Sequence, residues 1–574
     1  EMEQLGYFKF DFLGLKNLDV VAQCLKFVKV RYNRDIDFDE IDYQDPQVFD
    51  LLCEGKLCGV FQLEGSLRQI TVRVQPRNIS ELSVINALGR PGPLDAGLVD
   101  QYIENKNNGV AYNSAGDLKL QHKLTEILHE SHGVMAYQEQ VMQIAVVIGG
   151  FSLEEADNLR KAIGKKSREA MAKLKDNFVQ GGIQKDYNEQ AIESLWEDIE
   201  RFADYCFNKS HSLAYSILSY QEAWLKSYYP GEFMAALMSC EDDLNKVSSY
   251  IAESKALGVT VLGPSINTSI KGFSFTDTSA IVFGLDSIKG LGKAAVTAIL
   301  NARRTKDFDS FEGFMARVDG RKLNKRGVEA LILAGAFDEL GYGRQILLDN
   351  LEDVNKHYQK LASYRNKQIE CDQREKEVTI NQKRLSKIED LMSKIPMRVK
   401  NKTAKDSTDQ DSFDSLKTER TSLRRIRLLK RPEKPELEII SRVEVNMPIT
   451  LDLLSMEKEV LGYYLSMHPT DFITANNMTT YINEIINTGT GIINGVVLNN
   501  KEWKSRSGKM AFLTIEDATG VAEVVVFANQ YKYFKTGLPP GQVVRVMYRA
   551  EDTSTTPIKL IAEKIRVVQI EDRL

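Results

Sequence analysis

Cysteine and histidine are both scarce in this chain of 574 residues, with six of each. Cys24, Cys53, Cys58, Cys206, Cys240 and Cys371 include one close pair, Cys53 with Cys58. No second pair completes a zinc site, and no histidine stands at ligand spacing near them. The pattern excludes a disulfide scaffold and reads as six reduced thiols in a cytoplasmic protein. No run of 18 apolar residues occurs, which excludes a membrane-spanning helix, and no signal-peptide pattern is visible. A strong charge of one sign is also missing. The net charge is -5, so any surface that binds a polyanion must be local and set against acidic patches elsewhere. The opening Glu1-Met2-Glu3 lacks a leading methionine and runs straight into an apolar stretch, which leads us to expect a fragment.

Hydrophobic residues make up 43% of the chain and charged residues 27%, enough apolar material for several cores. At about 150 residues per domain, roughly four domains are expected. Tyr7 to Leu13 (YFKFDFL) alternates Phe8, Phe10 and Phe12 with Lys9 and Asp11, the period of a strand with one buried face. Residues 45 to 260 are dominated by helical spacing, with start signals at Asp45-Pro46 and a capping box at Ser152 and Glu155. Ile281 to Arg304 predicts a short strand, a Gly-x-Gly turn and a helix. Residues 347 to 394 predict a long polar helix. The stretch KNKTAKDSTDQDS from Lys400 has no apolar payload and reads as a linker. From Lys417 to Lys434 there are eight Lys or Arg and two Glu. Ile492 to Val568 carries about five short strands separated by turn residues, which predicts a small barrel.

Several segments carry chemistry. A carboxylate on a strand between large apolar side chains, as at Asp11, suits a metal ligand, and Lys9 on the same face suits phosphate neutralisation. Nucleotidyl transfer uses two divalent ions about 3.5–4 Å apart, bridged by carboxylates. An ordinary strand with a solvent-facing Lys and Asp also fits. LRKAIGKKSR places Arg160, Lys161, Lys165, Lys166 and Arg168 together, a face for polyanions or simply a solvated one. YCFNKSHSLAY combines Tyr205, Asn208, Lys209 and His211 in what reads as a tight turn, able to stack a base and bind phosphates, or a surface loop. GRPGPL reads as a rigid turn presenting Arg90. IKGLGKAAVTAIL is a helix-hairpin-helix signature: Gly290 and Gly292 permit the turn, Lys289 and Lys293 add charge, and the following helix aims N–H groups at phosphate. In the barrel's first hairpin, Lys501, Trp503, Lys504, Arg506 and Lys509 interleave charge with an aromatic, as a site for single-stranded nucleic acid requires. A barrel used for protein contacts is the alternative there.

Taken in order, KFDFLGLKNL, GVFQLEGS, LGRPGPL, YQEQVMQIA, LRKAIGKK, FNKSHSLAYSILSYQEAWLKSYYPGEFMAALM, IKGLGKAAV, LILAGAFDELG and EKEVLGYYLSMHP resemble the bacterial DNA polymerase III alpha subunits, the family C polymerases. The resemblance covers residues 5 to 345 and 450 to 568. It implies a multidomain α+β chain: part of a palm over residues 1–40, helical fingers over 41–270, a helix-hairpin-helix region over 271–345, a polar helical and linker insertion over 346–445, a connector over 446–490, and an oligonucleotide-binding barrel over 491–574. It implies template-directed DNA synthesis with two Mg²⁺ ions. Asp11 would be the third metal-binding carboxylate of the palm, with Lys9 beside it as the active-site lysine. Arg160, Lys161, Lys165 and Lys166 would contact the nucleotide triphosphate, with Tyr205, Asn208, Lys209 and His211 near the incoming nucleotide. Where the family commonly has two adjacent arginines, this chain has Arg160 followed by Lys161, which exchanges a planar fork for a point charge.

The implied partners are primer-template DNA, deoxynucleoside triphosphates and a missing N-terminal part of the polymerase. That part holds the family's first two catalytic aspartates, in a PDxDxD-like motif. DIDFD at 35 to 39 mimics the motif but follows the KFDFLGL strand instead of preceding it. A barrel that follows the helix-hairpin-helix region matches the branch found in most bacteria. A sliding clamp is a further implied partner, yet the only match to its QxxLF-type motif is QDSFD at 410 to 414, which ends in Asp. A non-catalytic DNA-binding or scaffolding fragment of polymerase origin is the alternative reading.

Overall fold

The computed structural model describes residues 14–109, 112, 117–164, 168–203, 205–241, 243–276, 280–395, 407–425, 427–435, 450–473, 479–485, 488–534, 537–552 and 557–568. Lys9, Asp11 and the alternating YFKFDFL stretch lie outside the described residues, as do Lys165 and Lys166. The chain divides into two compact units. One comprises residues 1–264, 268–289 and 448–574, and the other residues 265–267 and 290–447.

In the first unit, the described helices between Lys16 and Ala256 are joined by loops and one isolated β-bridge, Tyr137 with Phe207. The expected helix starts are present: Asp45 caps Pro46–Cys53 by accepting from the Gln47 N–H, and Ser152 and Glu155 form the capping box that opens Leu153–Gly164. The organising element is the Lys209–Tyr228 helix, which packs along Ile79–Leu88. Its inner face is polar where a core helix is normally apolar. Ser212 donates to the Ser83 carbonyl at 2.6 Å, Ser216 accepts from Asn86 at 2.8 Å, and Ser219 donates to the Phe61 carbonyl at 2.8 Å. Small hydroxyls at this spacing let two backbones approach while each hydroxyl keeps a hydrogen-bond partner. One turn further, Glu222 accepts the Phe61 N–H, and the fully buried Lys226 donates to the Cys58 carbonyl at 2.7 Å and pairs with Glu253. Helix and GVFQLEGS loop are thus joined by polar bonds inside the core.

Three two-residue strands follow, β1 (Val261–Leu262), β2 (Ser274–Phe275) and β3 (Ile281–Val282), in the order β1-β3-β2, with β1 parallel and β2 antiparallel to β3. The C-terminal barrel closes through β4 (Gly489–Ser505), β5 (Gly508–Glu516), β6 (Val521–Val526), β7 (Val543–Asp552) and β8 (Ile558–Val567) in the order β4-β5-β6-β8-β7. Alternation of β-branched and polar residues fills its interior with Ile493, Val497, Ile515, Val524, Val544 and Leu560. The Leu451–Leu461 helix docks on the barrel through Lys458, whose ammonium meets both Glu516 oxygens at 2.6 and 2.8 Å.

In the second unit, Lys293–Arg303 and Lys325–Leu333 are helices, and Arg344–Lys394 is one helix of 51 residues. One expectation fails in this unit. The linker reading from Lys400 does not hold beyond residue 406, because Ser407–Leu423 is a helix packed on Arg344–Lys394. Half-buried Phe413, Leu416 and Leu423 supply the apolar contact that the preceding residues lack, and Arg384–Glu419 and Arg424–Glu389 pairs tie the two helices. The QDSFD pentapeptide lies inside this helix. All six cysteines are free. Among the described residues, no helix is long and apolar enough to cross a membrane.

Candidate nucleotide and nucleic-acid interface

The segment from Tyr205 to His211 is built on the strand-like run at 136 to 138. Phe207 N–H donates to the Ala136 carbonyl, and Gln138 N–H donates to the Phe207 carbonyl, both at 2.9 Å. The chain then turns into a helix. Asn208 is its N-cap, accepting from the His211 N–H at 2.9 Å, so FNKSHS is a helix start and not the tight turn its composition predicts. Glu139 fixes this start from outside: one oxygen accepts from the Asn208 amide and the other from the Lys209 N–H, both at 2.9 Å. Lys209 extends to Glu130 at 2.7 Å, and the His211 ring stacks edge-on with Phe207 and Tyr215.

Arg90 is turned inward. Its guanidinium donates to the Tyr205 and Ala87 carbonyls at 2.8 and 2.9 Å and lies over the Phe207 ring. Burial holds its pKa below the usual arginine value. Instead of presenting Arg90 to a ligand, GRPGPL begins a short Pro91–Asp95 helix and clamps Tyr205 to Phe207. Gly92 is required beside it, since a Cβ there would lie 2.8 Å from the Tyr205 ring. The structure therefore gathers Arg90, Tyr205, Asn208, Lys209 and His211 into one constellation, with Glu139 and Glu130 added.

Arg160 and Lys161 stand on the neighbouring Leu153–Gly164 helix, which packs against Gln138–Val147, the helix that carries Glu139. They are less free than the basic run suggests. Asp157, three and four residues earlier, pairs with both at 2.8 Å, and those hydrogen bonds hold its carboxyl below the usual range. Among the described residues, no cluster of three or more His, Cys, Asp or Glu is arranged to hold a metal ion.

In the second unit Gly290 adopts φ +89°, a left-handed conformation that favours glycine, and Gly292 starts the Lys293–Arg303 helix without a side-chain cap. Lys293 is exposed there. Lys289, in the first unit, is exposed too, with its N–H donating to the Val460 carbonyl at 2.8 Å.

The barrel hairpin corrects one grouping. Trp503 pairs with Met510, Lys501 with Phe512 and Asn499 with Thr514, so these side chains share one face. Together with Glu523 they line an open groove of about 610 Å³. Lys504 points to the opposite face, where its neighbour Glu502 pairs with Lys509 at 2.6 Å and accepts from Tyr531 at 2.7 Å. Arg506 sits in the two-residue turn between the strands. Sequence interleaving had put Lys501, Trp503 and Lys504 into one site; the pleat divides them.

Three family models match this chain: the bacterial DNA polymerase III alpha subunit finger domain over residues 17–186, a helix-hairpin-helix motif over 258–347, and an OB-fold nucleic acid binding domain over 492–568. Fold and matches together define a multidomain α+β chain with a helix-hairpin-helix region and a C-terminal OB-fold barrel. Among curated proteins, the DNA polymerase III subunit alpha of Aquifex aeolicus is 34% identical over 577 residues, covering 98% of this chain and 42% of that protein. The protein of the same name from Borreliella burgdorferi is 35% identical over 584 residues, 99% of this chain and 45% of that protein. That of Campylobacter jejuni is 35% identical over 490 residues, 84% of this chain and 36% of that protein. This chain belongs to the family of bacterial DNA polymerase III alpha subunits. It spans about two-fifths of the length of the curated relatives it matches.

Proposed function

We propose that this chain supplies the fingers, the helix-hairpin-helix region and the oligonucleotide-binding barrel of a replicative DNA polymerase, together with one carboxylate of its two-metal site. The observation that carries the proposal is the helix start at Asn208 and Lys209. Asn208, Lys209 and His211 place an amide, an ammonium and an imidazole on the first turn of a 20-residue helix whose start is fixed by Glu139 and Arg90, with the ammonium paired to Glu130. A helix N-terminus with adjoining cations attracts phosphate.

In this reading Lys209, Arg160, Lys161, Lys165 and Lys166 neutralise the triphosphate, while Tyr205 and His211 border the nucleotide. Asp11 would hold magnesium, with Lys9 as the active-site lysine. Among the described residues, no acidic cluster is arranged to hold a metal ion. When bound, two Mg²⁺ ions would polarise the attacking and leaving oxygens of phosphoryl transfer. The residues named above contribute charge, orientation and exclusion of water. Exposed Lys289 and Lys293 grip duplex backbone without reading sequence, and the Trp503 groove takes the single-stranded template.

Residues 1–574 contain no PDxDxD motif, so the reading expects the remaining carboxylates from outside this sequence. Primer extension with residues 1–574 alone is expected to give no product. Activity is expected when a polypeptide bearing the PDxDxD segment of a relative is supplied. Extension at normal rates by residues 1–574 alone would contradict the assignment of the active site, and DNA binding without synthesis in the complemented mixture would favour a non-catalytic role.

A further inference from the structure

The helix Arg344–Lys394 and the limb that returns along it form a basic arm in a chain of net negative charge. Residues 344–435 hold 23 Lys or Arg against 15 Asp or Glu, a net of +8 inside a chain of -5. The return is antiparallel. Glu419 and Arg424 pair near residues 384 and 389, and further along the limb Arg431 pairs with Asp372 and Glu375 at 3.3 and 2.8 Å. Cys371 adds a hydrogen bond to the Lys430 carbonyl. These ties use the acidic groups of the arm to hold it together and leave other cations unpaired. Among the described residues Lys376, Lys383, Lys387, Lys417, Arg425 and Arg427 are exposed and have no acidic partner.

Their placement is ordered. Seven- and eleven-residue steps put Lys376, Lys383 and Lys387 within about 40° of arc along about 16 Å of helix. Duplex DNA offers one phosphate charge per roughly 1.7 Å of axis, so such a row meets several phosphates at once. The arm also belongs to the same compact unit as Gly290, Gly292 and Lys293. It is fastened to the helices there: Tyr358 donates to the Glu312 carbonyl and Arg365 to the Ala316 carbonyl, both at 2.9 Å.

We propose that this arm is a second, sequence-independent binding surface for the phosphate backbone of duplex DNA, adding to the helix-hairpin-helix grip. The inference rests on the DNA-binding part of the proposed function and not on catalysis. Ile369, Ile380 and Leu391 recur every eleven residues and are more than half exposed on the same helix, so a protein partner is the competing occupant.

The test is equilibrium binding of residues 1–574 to a random-sequence duplex at several salt concentrations. In a variant with Lys376→Gln, Lys383→Gln, Lys387→Gln, Arg425→Gln and Arg427→Gln, the slope of log K against log salt is expected to shrink by about 2–4, at about 0.9 per lost contact. Affinity near 0.1 M salt is expected to fall at least about tenfold. Replacing the three lysines by arginine in the otherwise native chain keeps charge and is expected to keep both. An unchanged slope overturns the proposal and leaves the face to a protein partner. A control with Lys289→Gln and Lys293→Gln separates the two readings: a reduced slope there with an unchanged slope in the arm variant refutes the arm alone.

Discussion

The Arg90 guanidinium lies 4.5 Å from the centroid of the Phe207 ring while donating to the Tyr205 carbonyl. One side chain thus spans the segment in which Tyr205, Asn208 and Lys209 are arranged. Replacing it by alanine removes two charge-assisted hydrogen bonds and a stacked cation, a local loss of about 1.5–3 kcal/mol. Arg90→Ala is expected to speed amide hydrogen exchange at Phe207 and Gln138 by at least about tenfold. Arg90→Lys restores only part of the protection, since a point charge does not replace a planar fork. Exchange unchanged in both variants would show that the Ala136–Gln138 run holds the segment unaided.

The buried carboxyl of Glu222 makes folding sensitive to pH. Burial pushes its pKa up to about 8, opposed by the Phe61 N–H bond and raised further by nearby Glu64. An acid whose folded pKa exceeds its unfolded value binds a proton on folding, so its contribution is present at low pH and is lost as pH rises from about 4.5 through about 8. Glu222→Gln keeps a carbonyl for Phe61 without ionising. It is expected to flatten the decline of stability between about pH 5 and pH 8, measured by urea unfolding at pH 5, 6, 7 and 8. A decline of the same steepness in the variant would assign the pH dependence to other groups.

Trp503 and Lys504 are neighbours in sequence and opposed in space. Trp503→Ala is expected to weaken binding of single-stranded oligonucleotides by about 1–3 kcal/mol, the usual value of a stacked base. Lys504→Gln, on the far face, is expected to change it by less than about twofold. Fluorescence titration in low salt measures both. Equal losses would mean that the strand does not lie in the Trp503 groove.

Architecture was more legible in the sequence than contact. Barrel strands, capping boxes and the long polar helix follow from local periodicity, and each is present. Side-chain roles depend on partners far along the chain, which periodicity does not carry. Arg90 and Tyr205 are 115 residues apart, and Glu139 meets Lys209 across 70. The polar stripe Ser212, Ser216, Ser219, Glu222 and Lys226 left a readable trace, because steps of three and four residues lie on one helical face. All five are buried. The basic run at Arg160 looked bare because Asp157 belongs to the preceding turn.

Asp11 lies outside the described residues, and its role is the claim on which the functional account depends. The most direct measurement is single-turnover primer extension by the assembled enzyme carrying Asp11→Asn, with DNA affinity measured in parallel. The account predicts a loss of at least about a thousandfold in the rate of incorporation with primer-template binding retained. Incorporation at the unsubstituted rate would contradict it.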